Sequence, residues 1–87
     1  MDKLCYRCSM HGIKTPAAEM HHVFNGAMRK KSEKYGAVIP LCRECHNIYH
    51  TNAKEYQRLK ASFQRKIMID KDLTVEEFRE IFKKSYI

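Results

Sequence analysis

With 87 residues, the chain is too short to bury a large hydrophobic core, so we expect an additional stabilising element such as a metal ion. Its formal net charge of +7 favours a polyanionic partner, either nucleic acid or an anionic membrane surface, although a basic surface that only aids solubility is an equal alternative. No run approaches the roughly 20 apolar residues of a membrane span, and no secretory signal is evident. We therefore expect a cytoplasmic protein without a membrane partner.

Four cysteines form two Cys-x-x-Cys pairs, Cys5 with Cys8 and Cys42 with Cys45. In a reducing cytoplasm this spacing predicts a zinc site rather than disulfides. Structural zinc prefers four soft ligands in a closed tetrahedron, so we predict one Zn²⁺ held by all four thiolates. A redox dithiol and unliganded core thiols are the alternatives. His11, three residues after Cys8, is a weaker candidate ligand that we interpret as an exposed loop histidine.

Two short apolar runs between the cysteine pairs predict a pair of strands. Residues 20–24 are bulky and end at an Asn-Gly turn signal, and residues 37–41 are fit to pair with them. Pro40 should mark a strand end or an edge position, because it has no backbone N–H to donate. Residues 27–36 carry four cations against one anion, so we expect an exposed loop there.

From Arg43 onward the pattern becomes helical and places His46 and His50 on one face. The next helix should begin at an Asn52-x-x-Glu55 motif that resembles a capping box, and the last helix at Thr74-x-x-Glu77. An apolar stripe on the long helix has members three or four residues apart. These are Tyr56, Leu59, Phe63 and Ile67. The predicted buried face of the last helix consists of Val75, Phe78, Ile81 and Phe82.

The histidines suggest a second metal site. His46 and His50 are four residues apart, a helical spacing at which two imidazoles can hold one cation. A histidine from the His21-His22 doublet would add a third nitrogen and leave an open position, as a catalytic metal requires. The remaining histidine could then act as a base near neutral pH. The alternative is a pair of partly exposed histidines on a short amphipathic helix.

The sequence H-H-V-F-x-G, a basic segment and V-I-P-L-C-x-x-C-H-x-x-x-H resemble the HNH endonuclease family, whose core is the ββα-metal or His-Me finger. The resemblance covers residues 5–50 and is close to zinc-knuckle members encoded by phages; the histidine pattern also resembles bacteriocin nuclease domains. It implies a small α+β, treble-clef-like finger in which zinc joins the two Cys-x-x-Cys knuckles. We predict one HNH nuclease domain over residues 1–87, with supporting helices over residues 51–87.

Residue roles follow from the resemblance. It implies that His22 is the general base and that His21, His46 and His50 bind the catalytic metal, which would be Zn²⁺, Ni²⁺, Mn²⁺ or Mg²⁺. Adjacent residues on a regular strand point to opposite faces, so the roles of His21 and His22 are open to exchange. The family's middle Asn corresponds to Ala37, and its loss is expected to affect loop order more than bond cleavage.

The predicted activity is hydrolysis of DNA phosphodiester bonds with low sequence specificity, with RNA as an alternative substrate. Phosphate contacts are expected from four residues of the basic segment, and such contacts carry little base information. They are Arg29, Lys30, Lys31 and Lys34. Partners would be DNA and proteins of phage recombination or packaging, in a bacterial or phage-infected cytoplasm. The alternative function is a non-catalytic, zinc-stabilised nucleic-acid-binding or adaptor module.

Overall fold

Two antiparallel strands and the helix that follows them form the centre of the molecule. The computed structural model describes residues 3–87. In chain order the elements are α1 (Tyr6–Met10), β1 (Glu19–His22), a 3₁₀ turn (Gly26–Met28), α2 (Arg29–Lys34), β2 (Val38–Leu41), α3 (Arg43–Thr51), α4 (Ala53–Lys71) and α5 (Val75–Phe82). This is the small α+β arrangement expected for a ββα finger, which confirms the predicted fold class.

The strand pairing places the histidine doublet at one end of the sheet. Glu19 lies opposite Leu41 at one end of the ladder, and His22 lies opposite Val38 at the other. Strand β1 begins one residue earlier and ends two residues earlier than the apolar pattern predicts. Pro40 lies within β2, where it is tolerated because both strands of a two-stranded sheet are edge strands.

The prediction of an exposed loop over residues 27–36 is wrong, because most of this segment is helical. Ser32 of α2 is fully buried; its hydroxyl accepts a hydrogen bond from Phe24 N at 3.1 Å and donates one to Ala37 O at 2.6 Å. One side chain thereby satisfies backbone groups at both ends of the connection between the strands. A six-residue helix with a single buried residue has no apolar periodicity, so tertiary contacts must stabilise it.

Helices α3 and α4 are separate helices divided at Asn52. The Asn52 side chain accepts a hydrogen bond from Glu55 N at 3.1 Å and caps α4, as its sequence predicts. The stripe of α4 faces the core through Leu59, Phe63 and Ile67, all of which are buried. Tyr56 is half-buried and donates its hydroxyl hydrogen to Val23 O at 2.8 Å, which ties α4 to the end of β1.

Helix α5 closes the other side of the core. The capping box between Thr74 and Glu77 is present, and Phe78 and Phe82 pack on Phe24, with ring centroids 5.9 and 4.7 Å from it. The predicted burial of Val75 is wrong, since 38% of this residue is exposed. The cause is that the whole first turn of α5, which carries the capping residues, lies in solvent. Across residues 3–87, no helix combines the length and apolar character needed to cross a membrane.

Candidate functional site

The four cysteines converge from both knuckles into one cluster. Their Sγ atoms all lie within 4.8 Å of one another, with Cys8 3.9 Å from Cys42 and 3.6 Å from Cys45. Four sulfurs about 2.3 Å from a central ion would be about 3.8 Å apart, so the cluster has the size of a tetrahedral metal site. In each knuckle a backbone N–H points at the first sulfur: Cys8 N to Cys5 and Cys45 N to Cys42, both at 3.5 Å.

A cationic side chain from the first knuckle, Arg7, contacts the cysteine cluster. Arg7 donates to Cys45 Sγ at 3.7 Å and to Glu55 Oε1 at 2.5 Å, so it links the cluster to α4. Burial nevertheless raises the pKa of the Cys45 thiol to about 12, despite the hydrogen bond from Arg7. A bound cation removes this penalty because it compensates the thiolate charge. His11 is exposed and is not a member of the cluster, in agreement with its interpretation as a loop residue.

Three predicted histidine ligands lie together in a second, open site. His21 from β1 faces His46 and His50 from α3, with ring centroids 5.1 and 6.2 Å away. They line a cleft of about 390 Å³. Its other lining residues are Met20, His22, Asn25, Gly26 and Arg29. We call this the histidine cleft. Both His21 and His22 line the cleft. Neighbouring residues within a regular strand point to opposite faces, but His22 is the last residue of β1, where this alternation ends.

His21 is the most buried of these three histidines. It is 5% exposed, and its Nε2 has no hydrogen-bond partner, the sole buried side-chain polar atom among residues 3–87 of which this is true. Burial, together with the proximity of His46 and His50, lowers the pKa of His21 from 6.5 to about 4. The ring is therefore neutral at pH 7 and has a lone pair available. A buried nitrogen without a partner costs free energy, and a metal ion would satisfy it.

His46 and His50 turn their ring nitrogens toward each other. Their Nε2 atoms are 3.0 Å apart, as expected from their spacing of one helical turn. On its other side, His46 Nδ1 donates a hydrogen bond to the carboxylate of Glu19. A carboxylate in this position fixes the tautomer that leaves Nε2 free to bind metal. Among residues 3–87, the cysteines are the group of three or more potential ligands whose donor atoms already lie close enough together to hold an ion.

A comparison with known protein families supports the family resemblance from which the roles of the histidines were predicted. The family model described as HNH endonuclease matches residues 5–52, which is more than half of the chain. The chain belongs to the HNH endonuclease family. The comparison with curated proteins gave no significant match, and neither did the comparison with solved structures. The matched HNH segment contains both cysteine knuckles, both strands and the histidine cleft.

The four basic residues that were predicted to contact phosphates lie between β1 and β2 and differ in their surroundings. Arg29 lines the histidine cleft, and Lys30 lines an adjoining hollow with Gly26 and Glu33. Lys31 is half-buried and donates to Ile81 O at 2.5 Å, so it links α2 to α5. Lys34 is exposed, with its Nζ 5.7 Å from the Tyr35 ring centroid. Arg29 and Lys30 are therefore the members nearest the cleft.

Two carboxylates that hydrogen-bond to histidines of the cleft were not predicted from the sequence. Glu19 precedes His21 by two residues, and the alternation of a strand places both on one face, so this signal was present in the sequence. Glu33 accepts a hydrogen bond from His22 at 2.7 Å across the connection between the strands. No local signal pointed to it, because its position depends on α2, which the sequence did not predict.

Proposed function

We propose that this protein is a metal-dependent endonuclease that hydrolyses DNA phosphodiester bonds with low sequence specificity. The observation that carries the proposal is the meeting of His21, His46 and His50, from two separate elements, in one open cleft beside His22. Arg29 at the same cleft supplies a cation for a phosphate. RNA contains the same phosphodiester group and is the alternative substrate.

The residues of the cleft fit a catalytic divalent ion. The unpartnered Nε2 of His21 and the facing Nε2 atoms of His46 and His50 would hold it, and Glu19 would orient His46. Imidazole ligands favour Zn²⁺, Ni²⁺ or Mn²⁺ over Mg²⁺, which prefers oxygen. When bound, such an ion supplies positive charge that stabilises the negative charge developing on the phosphate oxygens.

The chain's own residues perform the remaining tasks. Arg29 and Lys30 bind phosphates and hold the backbone at the cleft. His22 accepts a proton from water as the water oxygen attacks phosphorus and the bond from phosphorus to the departing sugar oxygen breaks. The strand is thereby cut into one end that carries a phosphate and one that carries a hydroxyl group.

The cysteine cluster has a separate, structural role in this proposal. Its four closely spaced thiols suit Zn²⁺ in closed coordination, which leaves no position for water or substrate. Zinc would join the knuckle before β1 to the knuckle that starts α3. Residues 5–50 would then form the metal-binding core, with residues 51–87 as supporting helices in one domain.

A second candidate is a zinc-stabilised nucleic-acid-binding module without catalysis. One observation favours it: within residues 3–87 the four cysteines are the group whose ligand atoms lie close enough together to hold a metal ion. Metal stoichiometry separates the candidates. The enzyme binds one tightly held ion and a second exchangeable one, whereas the binding module holds one.

A plasmid-nicking assay with Zn²⁺, Ni²⁺, Mn²⁺ and Mg²⁺ in turn tests the proposal. His22→Ala should lower the cutting rate by about 10²- to 10⁴-fold, the range expected for loss of a general base, while the fold and structural zinc remain. The matched control is His11→Ala, which removes an exposed histidine outside the cleft. Normal cutting by His22→Ala would refute its role as the base, and no cutting by the wild type with any ion would refute the nuclease.

A further inference from the structure

Glu33 makes the single hydrogen bond that ties His22 to α2. Its Oε1 lies 2.7 Å from His22 Nε2, and the two residues are separated by 11 positions in the sequence. We propose that Glu33 is a positioning residue, which holds the His22 ring in the orientation and tautomer required of a general base. This inference rests on the proposed function and adds a residue to its machinery.

The chemistry of the contact selects one tautomer. An ionised carboxylate has no hydrogen to donate, so His22 Nε2 must carry the hydrogen of the bond. In the neutral ring the other nitrogen, Nδ1, is then the one with a free lone pair. His22 lines the histidine cleft, and in this proposal Nδ1 takes the proton there while Glu33 holds Nε2.

Other contacts support Glu33 as a dedicated partner. Its helix also carries Arg29, Lys30 and Lys34, yet across residues 3–87 the His22 ring is the group to which the Glu33 carboxylate is hydrogen-bonded. The neighbouring Ser32 anchors the helix to Phe24 N and Ala37 O. The backbone of Glu33 is therefore held at a set position relative to the end of β1.

A purely structural role does not explain the contact. The Glu33 side chain is 64% exposed, and a polar contact at such an exposed position contributes little to stability because water competes for the same groups. The fold is therefore expected to tolerate replacement of Glu33. An effect on catalysis can then be measured without loss of the protein.

The kinetic test compares Glu33→Ala and Glu33→Gln with Glu80→Ala, which removes an equal charge from an exposed position on α5. For Glu33→Ala we expect kcat for nicking to fall roughly 10- to 100-fold while the melting temperature and bound zinc are unchanged. Glu33→Gln should recover most of kcat, because its amide oxygen still accepts the hydrogen bond. Because Glu33 lies beside Lys30, loss of its negative charge is also expected to lower KM, so kcat at saturating DNA is the readout, and Glu80→Ala should keep the wild-type kcat.

Long-range ¹H–¹⁵N NMR of the His22 ring tests the same inference without turnover. The wild type and Glu33→Gln should show the Nε2–H tautomer, and Glu33→Ala a mixture of both tautomers. Wild-type kcat in Glu33→Ala, or an unchanged tautomer, would refute the role of Glu33 and leave the nuclease proposal standing. A wild type that fails to nick DNA would instead refute the nuclease, and the catalytic role of Glu33 with it.

Discussion

The cysteine cluster and the histidine cleft share one helix, α3, which contributes residues to both. Cys45 and His46 are neighbours on α3, yet Cys45 points into a buried cluster and His46 into an open cleft. Three of the four cysteines are buried, whereas His46 is half-buried and His50 is exposed. Successive residues on a helix are about 100° apart, so one short helix can serve two sites of opposite character.

The difference shows how a small fold separates stability from chemistry. Ligands that are buried and close together leave no room for a substrate, and they hold two distant parts of the chain at a fixed distance. Ligands in an open cleft leave room for a substrate but bind an ion less tightly. The fold should depend on the first site and activity on the second, and each prediction below tests one side of this contrast.

The largest expected effect is loss of the fold when the cysteine cluster is broken. Cys45→Ser, or removal of the ion with a strong chelator, should abolish the helical circular dichroism signal. Structural zinc sites contribute about 10–16 kcal/mol, which is comparable to the entire stability of a small domain, about 5–15 kcal/mol. His50→Ala, which alters the cleft, is the control and should retain the signal. A chelated protein with an unchanged spectrum and melting curve would show that the cluster is dispensable.

A smaller effect is expected when a ligand is removed from the cleft. His50→Ala should weaken binding of a second divalent ion roughly 100-fold, because one nitrogen of the open site is lost. Isothermal titration of protein that already contains its structural ion measures this affinity. Asn47→Ala, which changes an exposed residue on the same helix, should bind as the wild type does. Equal affinities for the two variants would exclude His50 from the metal site.

The smallest effect is a pH dependence of stability that arises from His21. Its pKa is about 4 in the folded protein and near 6.5 when unfolded, so the unfolded chain binds the proton first as pH falls. Without an ion in the cleft, the free energy of unfolding should decrease by roughly 2 kcal/mol between pH 6.5 and 4.5 on this account. Above pH 6.5 the contribution is constant.

Urea denaturation at a series of pH values measures this loss. His21→Phe keeps a buried aromatic ring without a titratable nitrogen, so its stability should fall less steeply over the same interval. The difference between the two proteins removes the contributions of other groups. Parallel curves would mean that His21 does not titrate below its ordinary pKa in the fold.

The grouping of the cysteines and of the histidines was the most predictable part of the molecule. Two Cys-x-x-Cys pairs indicate a metal site by chemistry alone, and the predicted convergence of all four thiols is confirmed. The spacing of His46 and His50 placed both on one face of α3, and their Nε2 atoms are 3.0 Å apart. The assignment of the histidines to a catalytic metal and of His22 to the base stays a prediction.

Contacts between segments were less predictable. Helix α2 has no periodicity of its own and exists because Ser32 satisfies backbone groups at Phe24 and Ala37. The same Ser32 contacts brace the connection that contains Ala37, the residue predicted to correspond to the family's Asn. Val75 belonged to an apolar face by spacing but lies in the solvated first turn of α5.

The sequence by itself therefore determined which residues are candidate metal ligands, because ligand chemistry and helical spacing are local properties of the chain. Tertiary structure decided which side chains surround those candidates. Glu33 reaches His22, and Arg7 reaches Cys45 and Glu55, across 11, 38 and 48 positions of sequence. No local pattern encodes such distances, since they depend on how the strands and helices pack.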